Sequence, residues 1–273
     1  MEPGGHRSSP QTRRTGIGSL VAAAALVAVA LWEIVASIRD ARAVPDDDAW
    51  REAAQIVRAQ RRPGDLIVFA PAWADPVGRL HLGDLIPVDM AARVDDVRYA
   101  RIWELAIRGA HAPEVAALTP VLEDRRGGVT VRLYEREPAV VLADVRELLA
   151  GARWEGGGGR VELAEVGFAP KKCIQVTPSV SAPARVTFPR LPLGRTLYGG
   201  VGIADVFTRR DERSAIHLDI LVDGVPRTTV VAGVDDGWVR FAIPTEPGAA
   251  DVTFVASAAG PNKLVCFAAE ALR

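Results

Sequence analysis

One short segment gathers a dense set of polar and aromatic side chains. Trp73, Asp75, Arg79, His81 and Asp84 follow the apolar run LIVFA in quick succession. A histidine near two carboxylates has the makings of acid–base catalysis or of metal binding. Asp75, His81 and Asp84 are therefore the catalytic candidates, with Trp73 and Arg79 as ligand-binding candidates. HLGD is no established ligand spacing, and one histidine cannot make a specific metal site. The competing reading is a loop held by Asx turns and an Arg–Asp pair, with Trp73 covering a sheet edge. A second set lies in DDGWVRFAIPTEPG (235–248), where Val239, Phe241 and Ile243 share one strand face and Trp238, Arg240 and Ala242 take the other. Trp238 is either an exposed platform or a plug under a loop. As a platform it would stack on a pyranose ring, with Arg240, Tyr198 and nearby carboxylates bonding hydroxyls.

Other polar groups read as ordinary surface. His217 and Asp219 alternate with Ile216, Leu218, Ile220 and Val222, which places them on a solvated outer face. RRDER (209–213) is a charged loop between strands. VDDG (234–237) holds two carboxylates in a turn, too common an arrangement to indicate calcium. The sequence contains no GxSxG, HExxH, P-loop or dinucleotide fingerprint. YGGVG reads as a bulge or bend because no helix follows it. No metal and no cofactor is expected, and the balance leans toward binding rather than catalysis.

The elements that position these residues are legible from periodicity. Asp46–Asp48 cap a helix whose buried stripe is Trp50, Ala53, Ala54 and Val57, stopped by Pro63-Gly64. LIVFA (66–70) is a strand covered on both faces. A short helix follows around VDMAARVDD, then strands RIWELAI (101–107) and GVTVRLYER (128–136). Val115–Leu122 fits either a helix or a strand, and VVLADVRELL (140–149) reads as a strand turning into a helix. Residues 44–155 thus form a small α/β layer domain. The glycines at 156–159 punctuate the chain. From 160 to 273 short alternating runs replace helical periodicity, with an Asp223-Gly224 hairpin signal between two of them. That spacing argues for an antiparallel β-sandwich or jelly roll. The fold class is α+β with two domains after an N-terminal helix.

With 33 basic and 34 acidic residues, net charge is −1, which excludes a global field for nucleic acid. Arg7, Arg13 and Arg14 precede the uncharged run TGIGSLVAAAALVAVALW (Thr15–Trp32), which as a helix spans roughly 27 Å, close to bilayer thickness. Basic residues before it and Glu33 after it set the N-terminus in the cytoplasm. The expectation is a cytoplasmic tail (1–14), an anchor (15–43) whose residues 15–38 contact the lipid bilayer, and domains in the periplasm or outside. A cleaved signal peptide competes, since AVA (28–30) and ARA (41–43) resemble cleavage sites. Cys173 and Cys266 each take the face opposite their apolar neighbours. If their strands are adjacent, an oxidising compartment would join them; otherwise they are two unrelated buried thiols.

Two resemblances follow. Residues 160–273, through LDILVDGVPRTTVV, DDGWVRFAIPT and ADVTFVA, resemble galactose-binding-like and carbohydrate-binding jelly rolls. That resemblance implies sugar binding, a spacer role or protein contacts. Residues 45–110, through DAWREAAQIVRAQRRPGDLIVFAPAW and YARIWELAI, are similar to the extracytoplasmic segment ending bacterial polytopic glycosyltransferases of the protein-mannosyltransferase type. Their multi-helix catalytic core has no counterpart here, so only location and domain type carry over. The expected function is a membrane-anchored binding or accessory protein in envelope polysaccharide or glycoconjugate handling, with a glycan or a membrane protein as partner. An enzyme using the 73–84 loop, or a structural subunit of a membrane complex, are the alternatives.

Overall fold

The computed structural model describes residues 15–42, 44–179, 181–204, 214–261 and 263–273. The basic tail (1–14) and RRDER (209–213) lie outside the described residues. Helix α1 (Thr15–Arg42) contains a stretch, Leu20–Arg39, long and apolar enough to cross a membrane, and none of it is buried against the rest of the chain. A signal sequence would meet the same condition.

Helix α2 (Asp47–Gln60) starts at Asp46, whose carboxylate accepts the Ala49 N–H at 2.8 Å. Such a cap contributes about 1 kcal/mol. Its buried face is Ala49, Trp50, Ala53, Ala54 and Val57. Strand β1 (Leu66–Ala70) leads into α3 (Asp75–Leu82) and α4 (Val88–Ala91), followed by β2 (Arg101–Ile107), β3 (Pro120–Arg126) and β4 (Val129–Glu135). The sheet order is β1-β2-β4-β3, with β1 and β2 parallel and the other pairs antiparallel. Every residue of β1 and β2 is buried, as the continuous apolar run of β1 requires. The ambiguous 115–122 segment turns through a 3-10 element (Pro113–Val115) and becomes strand at Pro120.

The remaining strands are β5 (Val141–Asp144), β6 (Arg153–Glu155), β7 (Gly159–Val166), β8 (Ala169–Val176), β9 (Ala184–Leu193), β10 (Thr196–Ala204), β11 (Ile216–Val222), β12 (Val225–Ala232), β13 (Val239–Pro244), β14 (Gly248–Ala258) and β15 (Leu264–Leu272). They form two sheets face to face. One is β13-β10-β7-β8-β15-β5 with β10 also paired to β15; the other is β12-β11-β14-β9-β6. Phe188, Phe254 and Phe267 meet in the core between them. Asp223 and Gly224 both take positive φ (50° and 75°), the turn that their two-residue hairpin needs.

Two local expectations change. The strand in VVLADVRELL does not lie in the first sheet: β5 pairs with β15, no α-helix follows it, and Ala143 and Val145 bury in the sandwich core. β6 likewise pairs with β9, so both sandwich sheets recruit chain from before the glycines. YGGVG is neither bulge nor bend, because β10 keeps continuous register with β13 and β15. Its glycines make room instead. A Cβ at Gly199 would lie 2.2 Å from the Ala268 carbonyl and 2.5 Å from the Phe241 ring.

Candidate functional site

The outer face of the six-stranded sheet is not left to solvent. The segment after α4 lies against it, with the Lys172 N–H donating to the Ala92 carbonyl at 3.1 Å and Lys172 Nζ 3.0 Å from Asp89. Between the two bodies opens a cleft of about 530 Å³. That volume falls in the ~300–1,000 Å³ range of small-ligand pockets. One wall is the C-terminal end of β1 and the turn into α3, a usual ligand position in sheets with parallel strands. The other wall is the tip of the β7–β8 hairpin, with Arg240 from β13.

Two exposed aromatic rings line this cleft. Trp73 is 61% exposed, with the Arg108 guanidinium 5.7 Å over its ring. Phe168 is 82% exposed at the hairpin tip. Gly167 and Phe168 have φ of 60° and 65°, so a bulky ring is held in the left-handed region, where non-glycine residues carry a cost of about 1–2 kcal/mol. Glycine is required beside it, since a Cβ at Gly167 would lie 2.7 Å from Gly237.

The polar lining is ordered by ion pairs. Asp75 accepts from Arg79 one turn on (Nη2 to Oδ1 3.1 Å), and Arg93 pairs with Glu114. Arg240 Nη1 lies 3.5 Å from Asp96. Lys171 is half-buried, its ammonium donating to the Arg93 carbonyl at 3.1 Å and lying 5.4 Å from the Trp238 ring centroid.

Of the residues singled out by sequence, Trp73, Asp75, Arg79 and Arg240 share the cleft. The catalytic set does not converge. His81 Nε2 lies 3.2 Å from Asp47 at the start of α2. Asp84 accepts two bonds from Arg58 (2.8 and 2.6 Å), whose hydrogen bonding holds its carboxyl below the ordinary range. His81, at the end of α3, and Asp84, in the 3-10 turn after it (Gly83–Leu85), both meet α2. Tyr198 sits half-buried beside Arg240 on the sheet's outer face, its phenol pushed up by burial, and it does not line the cleft.

Trp238 is a plug rather than a platform. Its indole lies on Gly200, where a Cβ would meet Nε1 at 2.4 Å, and Lys171 lies over the ring. It packs against Val166, Ala204 and the disulfide joining Cys173 to Cys266, whose Cα atoms are 5.5 Å apart. β8 and β15 are neighbours, as the pairing of the two thiols required. Sequence reading missed Phe168, Lys171, Arg93 and Glu114. The available signal was RVELAEV-GF-APKKCIQV, two alternating runs around a two-residue turn, whose tip must present Phe168.

Beside the cleft the two bodies meet in a buried polar seam. Asp95, Asp96 and Glu270 are almost fully buried, with Arg146 2.8 Å and Arg98 3.6 Å from Glu270 and Arg136 3.0 Å from Asp96. Burial, then the charges of Asp95 and Asp144, push Glu270 up to about 7 against the pull of Arg146 and Arg98. A carboxyl raised in the folded state stabilises it below the ordinary carboxylate range, and loses that contribution as pH rises through about 7. Glu270→Gln is therefore expected to raise the melting temperature at pH 8 and to flatten its decline between pH 5 and 8. An unchanged slope in thermal melts would exclude Glu270 as its source.

The architecture defines a two-sheet β-sandwich carrying a small α/β layer over one face. No family model matches the chain, and no curated protein does. Solved structures similar to it include carbohydrate-binding modules. A CBM51 and INT fragment of Clostridium perfringens ZmpB, in complex with GlcNAc, is 16% identical with a TM-score of 0.37, over 54% of this chain and 35% of that one. The CBM51 of C. perfringens GH95, in complex with methyl-galactose, gives 12% and 0.36, over 48% and 99%. The N-terminal cellulose-binding domain of Cellulomonas fimi β-1,4-glucanase C gives 12% and 0.30, over 45% and 87%. The mannosyltransferase-type resemblance of residues 45–110 is not shown by these comparisons.

Proposed function

We propose that this chain is a membrane-anchored binding or accessory protein that takes a glycan in the cleft between its two bodies. One observation carries the reading: Trp73, in the turn after β1, and Phe168, at the tip of the β7–β8 hairpin, are exposed rings that line a single cleft. Such rings stack on the apolar face of a sugar, while Arg79, Asp75 and Arg240 offer donors and acceptors to its hydroxyls. The disulfide is consistent with an oxidising compartment outside the cytoplasm, and Leu20–Arg39 with an anchor that holds the domains there. Envelope polysaccharide or glycoconjugate handling is the setting that fits both. The full chain in detergent, applied to a glycan array, is expected to retain glycans. Trp73→Ala and Phe168→Ala should each weaken retention about tenfold, the scale of one lost aromatic anchor. Unchanged binding by the double variant would move the site elsewhere.

A further inference from the structure

The charged residues lining the cleft are not balanced. Asp75 is taken by Arg79, Glu114 by Arg93, and Arg240 reaches Asp96, which Arg136 also binds. Lys171 stands apart. Among the described residues its ammonium has the Arg93 carbonyl and the Trp238 ring as partners, and no carboxylate at ion-pair distance. One of its three N–H groups is taken by the carbonyl, and a half-buried cation facing a cleft attracts an anion more strongly than an exposed one does. We propose that the cleft selects an anionic sugar, a uronate or a sulfated ring, whose charged substituent pairs with Lys171 while its ring stacks on Trp73 or Phe168.

This deepens the glycan reading and rests on it. The electrostatics agree. Burial, then the positive charges of Arg93 and Arg240, push Lys171 down to about 8, and these outweigh Glu114 and Asp95 on the other side. The protein thus holds a cation in a net positive field that an incoming anion would relieve. Trp238 and Gly200 serve as its floor: the glycine lets the indole lie flat, and the indole props the lysine at the cleft.

The test applies the full chain in detergent to an array of neutral, uronate-bearing and sulfated oligosaccharides. Retention of acidic members is expected, and the array separates carboxylate from sulfate as the source of charge. The best acidic ligand and its charge-neutral counterpart, methyl-esterified or desulfated, are then titrated calorimetrically. The neutral form should bind at least tenfold more weakly. Lys171→Met, which keeps an unbranched apolar chain over Trp238 and removes the ammonium, should erase that difference and leave the neutral ligand unaffected, and Lys171→Arg should restore much of it. Acidic affinity should also fall about tenfold between pH 7 and pH 9 as Lys171 loses its proton. Equal binding of charged and neutral forms overturns this inference and leaves the glycan reading standing. Retention of no glycan overturns both. An acidic preference untouched by Lys171→Met overturns the role of Lys171.

Discussion

Glu104→Ala is expected to cost about 3–5 kcal/mol, the scale of breaking a fully buried ion pair from one side. Glu104 is fully buried at the centre of β2. One carboxylate oxygen accepts the Ala112 N–H at 2.6 Å; the other accepts from Arg132 Nη1 at 2.9 Å and the Tyr134 hydroxyl at 3.0 Å. Burial and the Glu104 charge together push Tyr134 up to about 12. Alanine would leave a buried hydroxyl and N–H without their acceptor and Arg132 with only Glu123. Glu104→Gln keeps an acceptor and the shape, so its cost should be smaller, about 1–3 kcal/mol. The damage also reaches the cleft. The Ala112 bond fixes the loop into Pro113 and Glu114; Glu114 holds Arg93, whose carbonyl holds Lys171. Urea unfolding measures the stability loss. A change under about 1 kcal/mol for Glu104→Ala would mean that the network contributes little.

Removing the disulfide should have an effect of similar size. Cys173 and Cys266 close a loop of sequence separation 93. Chain-entropy reasoning assigns such a loop about 4.7 kcal/mol, and measured native bridges contribute about 2–5 kcal/mol. The double variant Cys173→Ser, Cys266→Ser is expected to lose stability in that range. Its hydroxyls would also enter the apolar cluster of Val166 and Ala204 under Trp238. Loosening that cluster loosens Trp238 and, through it, Lys171, so ligand affinity should fall with stability. Melting with and without a reductant checks the result on the unaltered chain. Identical melting temperatures would show that the bridge contributes nothing to the folded state.

The legible parts of this molecule were those governed by neighbours in sequence. The Asp46 cap, the stripe of α2, the buried run of β1 and the Asp223-Gly224 hairpin each follow from a few consecutive residues. Alternation also assigned Trp238, Cys173 and Cys266 to outward faces. It could not say that an outward face would be covered. That depended on β10, β8 and β15 lying side by side beneath the 89–99 segment, which turned a solvent face into a seam. β5 was misplaced for the same reason: its local pattern names a strand, while its partner, β15, lies more than a hundred residues away.

The loop at 73–84 shows the limit most clearly. Sequence proximity suggested one site, yet helix α3 and the 3-10 turn after it send Asp75 and Arg79 to the cleft and His81 and Asp84 to α2. The sequence alone determined the apolar helix, the short alternating runs of 160–273 that became β7–β15, the outward parity of the cysteines and the absence of recognisable catalytic motifs. Tertiary structure decided which rings and charges meet. The cleft draws Trp73, Arg93, Glu114, Phe168, Lys171 and Arg240 from separate elements. Periodicity reports only the face on which a residue lies, whereas a site depends on which faces are brought together.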